Sequence, residues 1–226
     1  MKILGIDTTS KFLCIGVYND GMVCEYRLEV ERRLSGLLAL TIKRVVNAIG
    51  WRMKDIDYLA CGLGPGSFTG MRVGIAAIKG LALSLNKPVI GIPTLDILAA
   101  NAPAEAKYIA PIIDAKRGLI YCAIYSNSAG KLKRITPYML LTIDELLKKI
   151  TARKGVVCLG DAIGMYKDKI LTKMDIGMLL EKDHWYPSGH NIIKAAVQII
   201  KKGRSGRGFK VKPVYIYPKE CQIRKR

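Results

Sequence analysis

One stretch of this chain occurs twice, and the repeat constrains the fold more than any other feature. Ile6-Asp7-Thr8-Thr9-Ser10-Lys11-Phe12-Leu13-Cys14-Ile15-Gly16-Val17-Tyr18 is matched by Ile113-Asp114-Ala115-Lys116-Arg117-Gly118-Leu119-Ile120-Tyr121-Cys122-Ala123-Ile124-Tyr125 at a constant offset (114 − 7 = 107). Each copy is an apolar strand ending in Asp, a short polar turn, and a second apolar strand closed by Tyr, the pattern of a β-hairpin. Two copies of one hairpin predict two similar lobes. Ala102-Pro103-Ala104-Glu105 marks the boundary, so residues 1–102 form the first lobe, 103–202 the second with a closing helix, and 203–226 a basic tail.

The first lobe continues with a third strand over 22–28, set off by Asn19-Asp20-Gly21, and a helix over 34–49 stopped by Gly50. Its apolar residues, Leu37, Leu38, Leu40, Ile42, Val45, Val46 and Ile49, cover more than one stripe. Residues 56–61 read as a short buried strand. A second helix over 72–86 follows, rich in small residues (Gly74, Ala76, Ala77, Gly80, Ala82, Ser84) that permit close approach. Strand 89–92 and a helix from Pro93 to about Asn101, with Thr94 as its cap, complete the lobe. The second lobe is thinner. It has a helix from about 142 to 152 with a Thr142/Glu145 capping box, a strand at 156–161, and a last helix over 191–202 capped by Ser188.

Between strand 56–61 and helix 72–86 lies Gly64-Pro65-Gly66-Ser67-Phe68-Thr69-Gly70, three glycines in seven residues. Ser67 and Thr69 are placed to cap the helix that follows. This is not a P-loop, because no Gly-Lys-Ser/Thr closes it.

Gly64-Pro65-Gly66-Ser67-Phe68-Thr69-Gly70-x-Arg72-x-Gly74 resembles the signature of the bacterial TsaB (YeaZ) family, partner subunits in making threonylcarbamoyladenosine on transfer RNA. Ile3-Leu4-Gly5-Ile6-Asp7-Thr8-Thr9, Gly91-Ile92-Pro93-Thr94-Leu95 and Ile113-Asp114-Ala115-Lys116-Arg117-Gly118 match it too. The resemblance implies an α/β chain of the actin-like ATPase and ribonuclease H-like fold with two similar lobes, the second reduced. It implies a non-catalytic cytoplasmic subunit that pairs with a catalytic paralogue (TsaD type) and works with an ATPase subunit (TsaE type) on adenosine 37 of tRNA. The pairing face would be the first two helices, with Leu34, Leu37, Leu38, Thr41, Val45, Arg72, Val73, Ala76, Ala77 and Gly80 in contact. No cofactor would be intrinsic; ATP or ADP would sit at the junction with the partner subunit. In a working member of the superfamily the two hairpin turns point at nucleotide phosphates, which makes Asp7, Thr8, Thr9, Ser10, Lys116 and Arg117 the candidate nucleotide contacts. The chain departs from the family at Leu34-Ser35, where a His-Ser or His-Thr pair is usual, and at Tyr217, where the closing motif has arginine.

Composition narrows the alternatives. Lys and Arg number 37 against 18 Asp and Glu, a net charge of +19, which favours contact with polyanions. Ten basic residues against Glu220 alone lie between Lys201 and Arg226, so this tail is the expected RNA contact. Six cysteines (14, 24, 61, 122, 158, 221) without a Cys-x-x-Cys pair read as reduced thiols, most of them core. No uninterrupted apolar run approaches a membrane span, and the start lacks a signal-peptide layout. His184 and His190 offer no third metal ligand, so neither a metal site nor a catalytic residue is expected. A stand-alone ATP-dependent phosphotransferase is the alternative, but Gly160 and Gly164 are all that remains of a second-lobe adenosine turn. A peptidase is more remote, for no nucleophile has a histidine assigned to it. A homodimer of the isolated chain is expected through the leucine-rich helix faces.

Overall fold

A computed structural model describes residues 1–30, 33–128, 130–175, 178–203 and 211–217. The chain divides into two units, Met1–Ile97 with Pro187–Pro213, and Leu98–Tyr186 with the segment from Val214. The basic tail beyond Gly203 lies largely outside the described residues.

In the first unit, β1 (Lys2–Asp7), β2 (Phe12–Asn19) and β3 (Met22–Glu29) form an antiparallel meander. Next come α1 (Leu34–Ala48), β4 (Tyr58–Gly62), α2 (Phe68–Leu85), β5 (Val89–Ile92) and α3 (Thr94–Ala99). The sheet order is β3-β2-β1-β4-β5, with β4 parallel to both β1 and β5. Both faces of the central strands are covered, so those strands are apolar throughout. Leu4, Ile6, Leu13, Ile15, Leu59 and Cys61 meet α1 and α2 on one face. Ile3, Cys14, Ala60, Ile90 and Ile92 lie on the other.

The second unit repeats this plan. It contains β6 (Tyr108–Lys116), β7 (Leu119–Cys122), β8 (Tyr125–Ser128), β9 (Lys131–Arg134), β10 (Met139–Leu141), α4 (Ile143–Ile150), β11 (Val156–Leu159) and α5 (Ile163–Leu171). β6 is antiparallel to β7 and β8 and parallel to β11, as β1 is to β2 and β4. β7 and β8 are one returning strand, since Ile113↔Tyr121 and Ile109↔Tyr125 keep a single register. The strand is interrupted opposite Pro111, which has no N–H to give the ladder. The 107-residue offset places Asp114 opposite Tyr121, as Asp7 stands opposite Cys14. Asp114 instead faces Ile120, because the register shifts between Asp114 and Lys116. Where the first unit has β5, the second shows only an isolated bridge, Cys158↔Leu179. The two lobes are similar and the second is reduced.

The closing helix, α6 (Gly189–Lys201), departs from expectation. It lies on the first sheet, not in the second lobe, and packs Ile192, Ile193 and Ala196 against Ile3, Cys14 and Ala60. Gly5 and Gly16 face each other across β1 and β2. A Cβ at Gly5 would stand 2.6 Å from Ile192 Cγ2, and one at Gly16 would overlap the Gly189 carbonyl oxygen. At the corresponding positions of the second hairpin stand Ile112 and Ala123, whose side chains would hold a helix off. Ser188 caps α6 as expected, accepting from Asn191 N–H at 3.1 Å.

Three smaller corrections follow. α2 starts at Phe68, a turn earlier than expected, with Ser67 accepting from Gly70 N–H at 3.2 Å. Thr94 lies within α3, its hydroxyl turned to other partners. α2 is 18 residues long and apolar enough in composition to cross a membrane, but Met71, Ile75, Ile78 and Ala82 are buried in the core of this unit. The five described cysteines are free thiols, with Cys24 exposed and the other four buried.

Candidate functional site

The glycine-rich loop and the first hairpin turn form one hydrogen-bonded body. Asp7 ends β1 fully buried. Its Oδ1 accepts from Thr9 N–H at 2.8 Å and from the Thr9 hydroxyl at 2.7 Å, and its Oδ2 accepts from the Thr94 hydroxyl at 3.1 Å. Thr94 in turn accepts from Gly64 N–H at 3.0 Å, and Thr94 N–H donates to Gly64 O at 2.7 Å. Ser67 N–H donates to Thr9 O at 2.7 Å, and the Thr8 hydroxyl donates to Gly70 O at 2.7 Å.

The glycines are explained by what they touch. A Cβ at Gly62 would overlap the Asp7 carboxylate, one at Gly66 the Thr9 carbonyl, one at Gly70 the Thr8 carbonyl, and one at Gly74 the Thr8 hydroxyl. Gly64 and Gly66 also have φ of 91° and 156°. The loop is therefore shaped to lie on the Asp7-Thr8-Thr9 turn. Those three side chains are turned inward, with their polar groups in partnership inside the unit. Ser10 Oγ accepts from Phe12 N–H at 3.1 Å and closes the turn.

Burial pushes the Asp7 carboxyl above its ordinary pKa, and the bonds from Thr9 and Thr94 only partly offset this. A carboxyl raised in the folded state favours folding while it stays protonated. Stability therefore falls as pH climbs from the ordinary Asp pKa through the raised one. Asparagine fits the same partners: its Oδ1 accepts from Thr9 and its amide donates to Thr94. Asp7→Asn is expected to keep the fold, to be at least as stable as wild type at pH 8, and to flatten the decline above pH 4. Urea titrations from pH 4 to 8 test this; an unchanged slope would show that Asp7 does not govern it.

The second hairpin is organised differently. Lys116, Arg117 and Gly118 take positive φ in succession (65°, 56° and 75°). Lys116 N–H donates to Asp114 Oδ1 at 2.8 Å, and its ammonium pairs with Oδ2 of the same residue. Asp161 Oδ1 accepts from Asp114 N–H at 3.0 Å, and Tyr217 donates its hydroxyl to Ala115 O at 2.9 Å. Gly160 is required by packing, since a Cβ there would overlap the Ile112 carbonyl, and Gly164 faces the Trp185 ring. Lys116 and Arg117 are exposed. Among the described residues no group of three His, Cys, Asp or Glu side chains is placed to hold a metal ion.

The expected partner residues separate into two sets. Leu34, Leu38 and Thr41 are buried, Leu38 at 2 % exposure, and the first two belong to the core beneath α1. They are not available to a partner in this fold. Leu37, Val45, Val73 and Ala77 are half-buried where the helices meet the core. Arg72, Ala76 and Gly80 are exposed, and Arg72 lies over the Phe68 ring at 3.7 Å. Gly36, Ala39, Leu40, Phe68 and Leu83 are exposed as well and were not singled out. The signal for them was their spacing, since 36 and 40, or 76, 80 and 83, fall on one side of a helix.

Residues 28–176 match the family described as TsaD, tRNA N6-adenosine threonylcarbamoyltransferase. The tRNA threonylcarbamoyladenosine biosynthesis protein TsaB of Bacillus subtilis is 30% identical over 75% of this chain and 75% of its own. The protein of that name from Escherichia coli is 36% identical over 56% of each chain. The chain belongs to the TsaB (YeaZ) family. The crystal structure of YeaZ from Pseudomonas aeruginosa has the same fold, with TM-score 0.79 at 22% identity over 95% of this chain and 100% of that one. A Pseudomonas aeruginosa protein described as similar to peptidase YEAZ superposes at TM-score 0.84, with 22% identity over 96% and 99%. The match to TsaD and the relatives named TsaB agree with a doubled actin-like scaffold shared by both.

Proposed function

We propose that this chain is a non-catalytic subunit. In this reading it pairs with a catalytic subunit of its own fold (TsaD type) for threonylcarbamoyl transfer to adenosine 37 of tRNA. The observation that carries the reading is the state of the Asp7 turn. A working phosphate site needs the carboxylate and hydroxyls of that turn facing ligand; here Thr9, Thr94 and the glycine-rich loop hold them. The relatives' names supply the pathway. α1 and α2 supply the contact surface: Gly36, Ala39 and Leu40 on one helix, Arg72, Ala76, Gly80 and Leu83 on the other. The ATPase subunit (TsaE type), a nucleotide at the junction with the partner, and a tRNA contact through the basic tail belong to the same proposal.

Gly80→Arg tests the pairing. A Cβ at Gly80 meets nothing within 4 Å, and replacing a helical glycine favours the helix. The variant should keep its circular dichroism and melting temperature while binding the catalytic subunit at least tenfold more weakly by calorimetry. Reconstituted threonylcarbamoyl transfer should fall with it. Unchanged affinity would move the partner face elsewhere. The phosphotransferase reading makes the opposite demand, ATP turnover by the purified chain alone.

A further inference from the structure

β3 is the outer strand of the first sheet, and the pattern of its exposed groups is self-complementary. Among the described residues it pairs with β2 only, over eight unbroken steps from Phe12↔Glu29 to Asn19↔Met22. The strand has no proline and no bulge, two of the devices that usually blunt an edge. Its backbone direction follows from both ends. Val30 N–H donates to Lys11 O at 3.0 Å, and Asp20-Gly21 is a two-residue turn with φ of 43° and 101°, which closes on a hydrogen-bonded Asn19/Met22 pair. Residues 22, 24, 26, 28 and 30 therefore bond inward to β2. The N–H and C=O groups of Val23, Glu25, Arg27 and Glu29 point outward.

The side chains divide by face. Met22 at 66% exposure, Cys24, Tyr26 at 41% and Leu28 lie on the α1 side. Val23, Glu25, Arg27 and Glu29 lie on the α6 side, where Glu25 accepts from His190 N–H at 3.0 Å. A second copy adding antiparallel to this edge must match outward residues with outward residues. Centred on Glu25 it sets glutamate against glutamate; centred on Arg27, arginine against arginine. Centred on Tyr26 it sets Glu25 opposite the second copy's Arg27 twice, Tyr26 opposite Tyr26, and Cys24 opposite Leu28. Opposite charges and aromatic pairs across strands stabilise, while like charges destabilise.

We infer that β3 is a homodimerisation edge. Two copies join antiparallel about Tyr26 into one continuous ten-stranded sheet, through a surface separate from the α2 positions assigned to the catalytic partner. This goes beyond the pairing proposed above and replaces the helix faces as the route to the homodimer.

Three sets of variants test it by sedimentation velocity. The wild-type chain should be dimeric at tens of micromolar. Arg27→Pro removes an outward N–H without touching the β2 ladder and should weaken the dimer by roughly tenfold or more. Glu25→Arg and Arg27→Glu should each weaken it comparably, and the double exchange should restore it. In a Cys24→Ser background, Tyr26→Cys brings two thiols opposite each other at a non-hydrogen-bonded pair, close enough for a disulfide, so oxidation should cross-link the dimer. Gly80→Arg should leave the dimer intact. A wild-type chain monomeric at 100 micromolar would overturn the inference. So would a dimer insensitive to Arg27→Pro, or one broken by Gly80→Arg. Circular dichroism of each variant separates loss of pairing from loss of fold.

Discussion

Leu38→Asp is expected to unfold the first unit, although Leu38 sits on a helix that meets the outside along other positions. The side chain is 2 % exposed and lies in the core with Ile42, Val46 and the inner residues of β2. Removing a buried leucine of this kind costs about 2–5 kcal/mol. An unpaired carboxylate at the same place adds several more. The sum rivals the whole stability of a typical domain, about 5–15 kcal/mol. The variant should lose its cooperative urea transition and its near-ultraviolet circular dichroism. Leu40→Asp, two residues on and exposed, should keep both. If Leu38→Asp folds normally, α1 is not seated as described.

Gly16→Val should be nearly as damaging for a different reason. The neighbouring group is the backbone carbonyl of Gly189, which cannot rotate away. α6 must lift from β1 and β2, and Ile192 and Ile193, both fully buried, are left without their floor. A loss of roughly 3–5 kcal/mol is expected, on the scale of deleting a large core side chain, with hydrogen exchange rising in α6 before the sheet. Gly36→Ala supplies the contrast. Its Cβ meets nothing within 4 Å, and alanine should raise stability by roughly 1 kcal/mol through helix propensity. Equal urea midpoints for Gly16→Val and wild type would show that α6 does not depend on close approach.

These variants mark where the chain's own pattern was sufficient and where it was not. The repeated Asp-ended hairpin foretold two similar units, and the matching strand orders show them. The capping box at Thr142 forms as written, with Thr142 N–H donating to Glu145 Oε2 at 2.7 Å. Periodicity identified the apolar side of α6 but could not tell which of two sheets it would cover. That choice rests on Gly5 and Gly16, two glycines inside apolar strands that the repeat itself flags, because the second copy has Ile112 and Ala123 instead. On α1 the apolar arc is wider than one stripe, so buried Leu34 and Leu38 were grouped with residues that face outward. The partners of Asp7 lie 85 to 90 positions away in sequence, and spacing alone holds no trace of the bond to Thr94. The helix start was misjudged because Gly70 looked like part of the turn, whereas it opens the helix to let the Thr8 carbonyl come near.

The seat of α6 has a consequence for synthesis. The sheet that leaves the ribosome first is completed by a helix that leaves nearly last, after the whole of Leu98–Tyr186. At about 5–20 residues per second, Ile3, Cys14 and Ala60 stay uncovered for several seconds on every nascent chain. A transcript truncated before codon 189 would release a polypeptide with that apolar face bare, a substrate for chaperones and proteases and not a functional half.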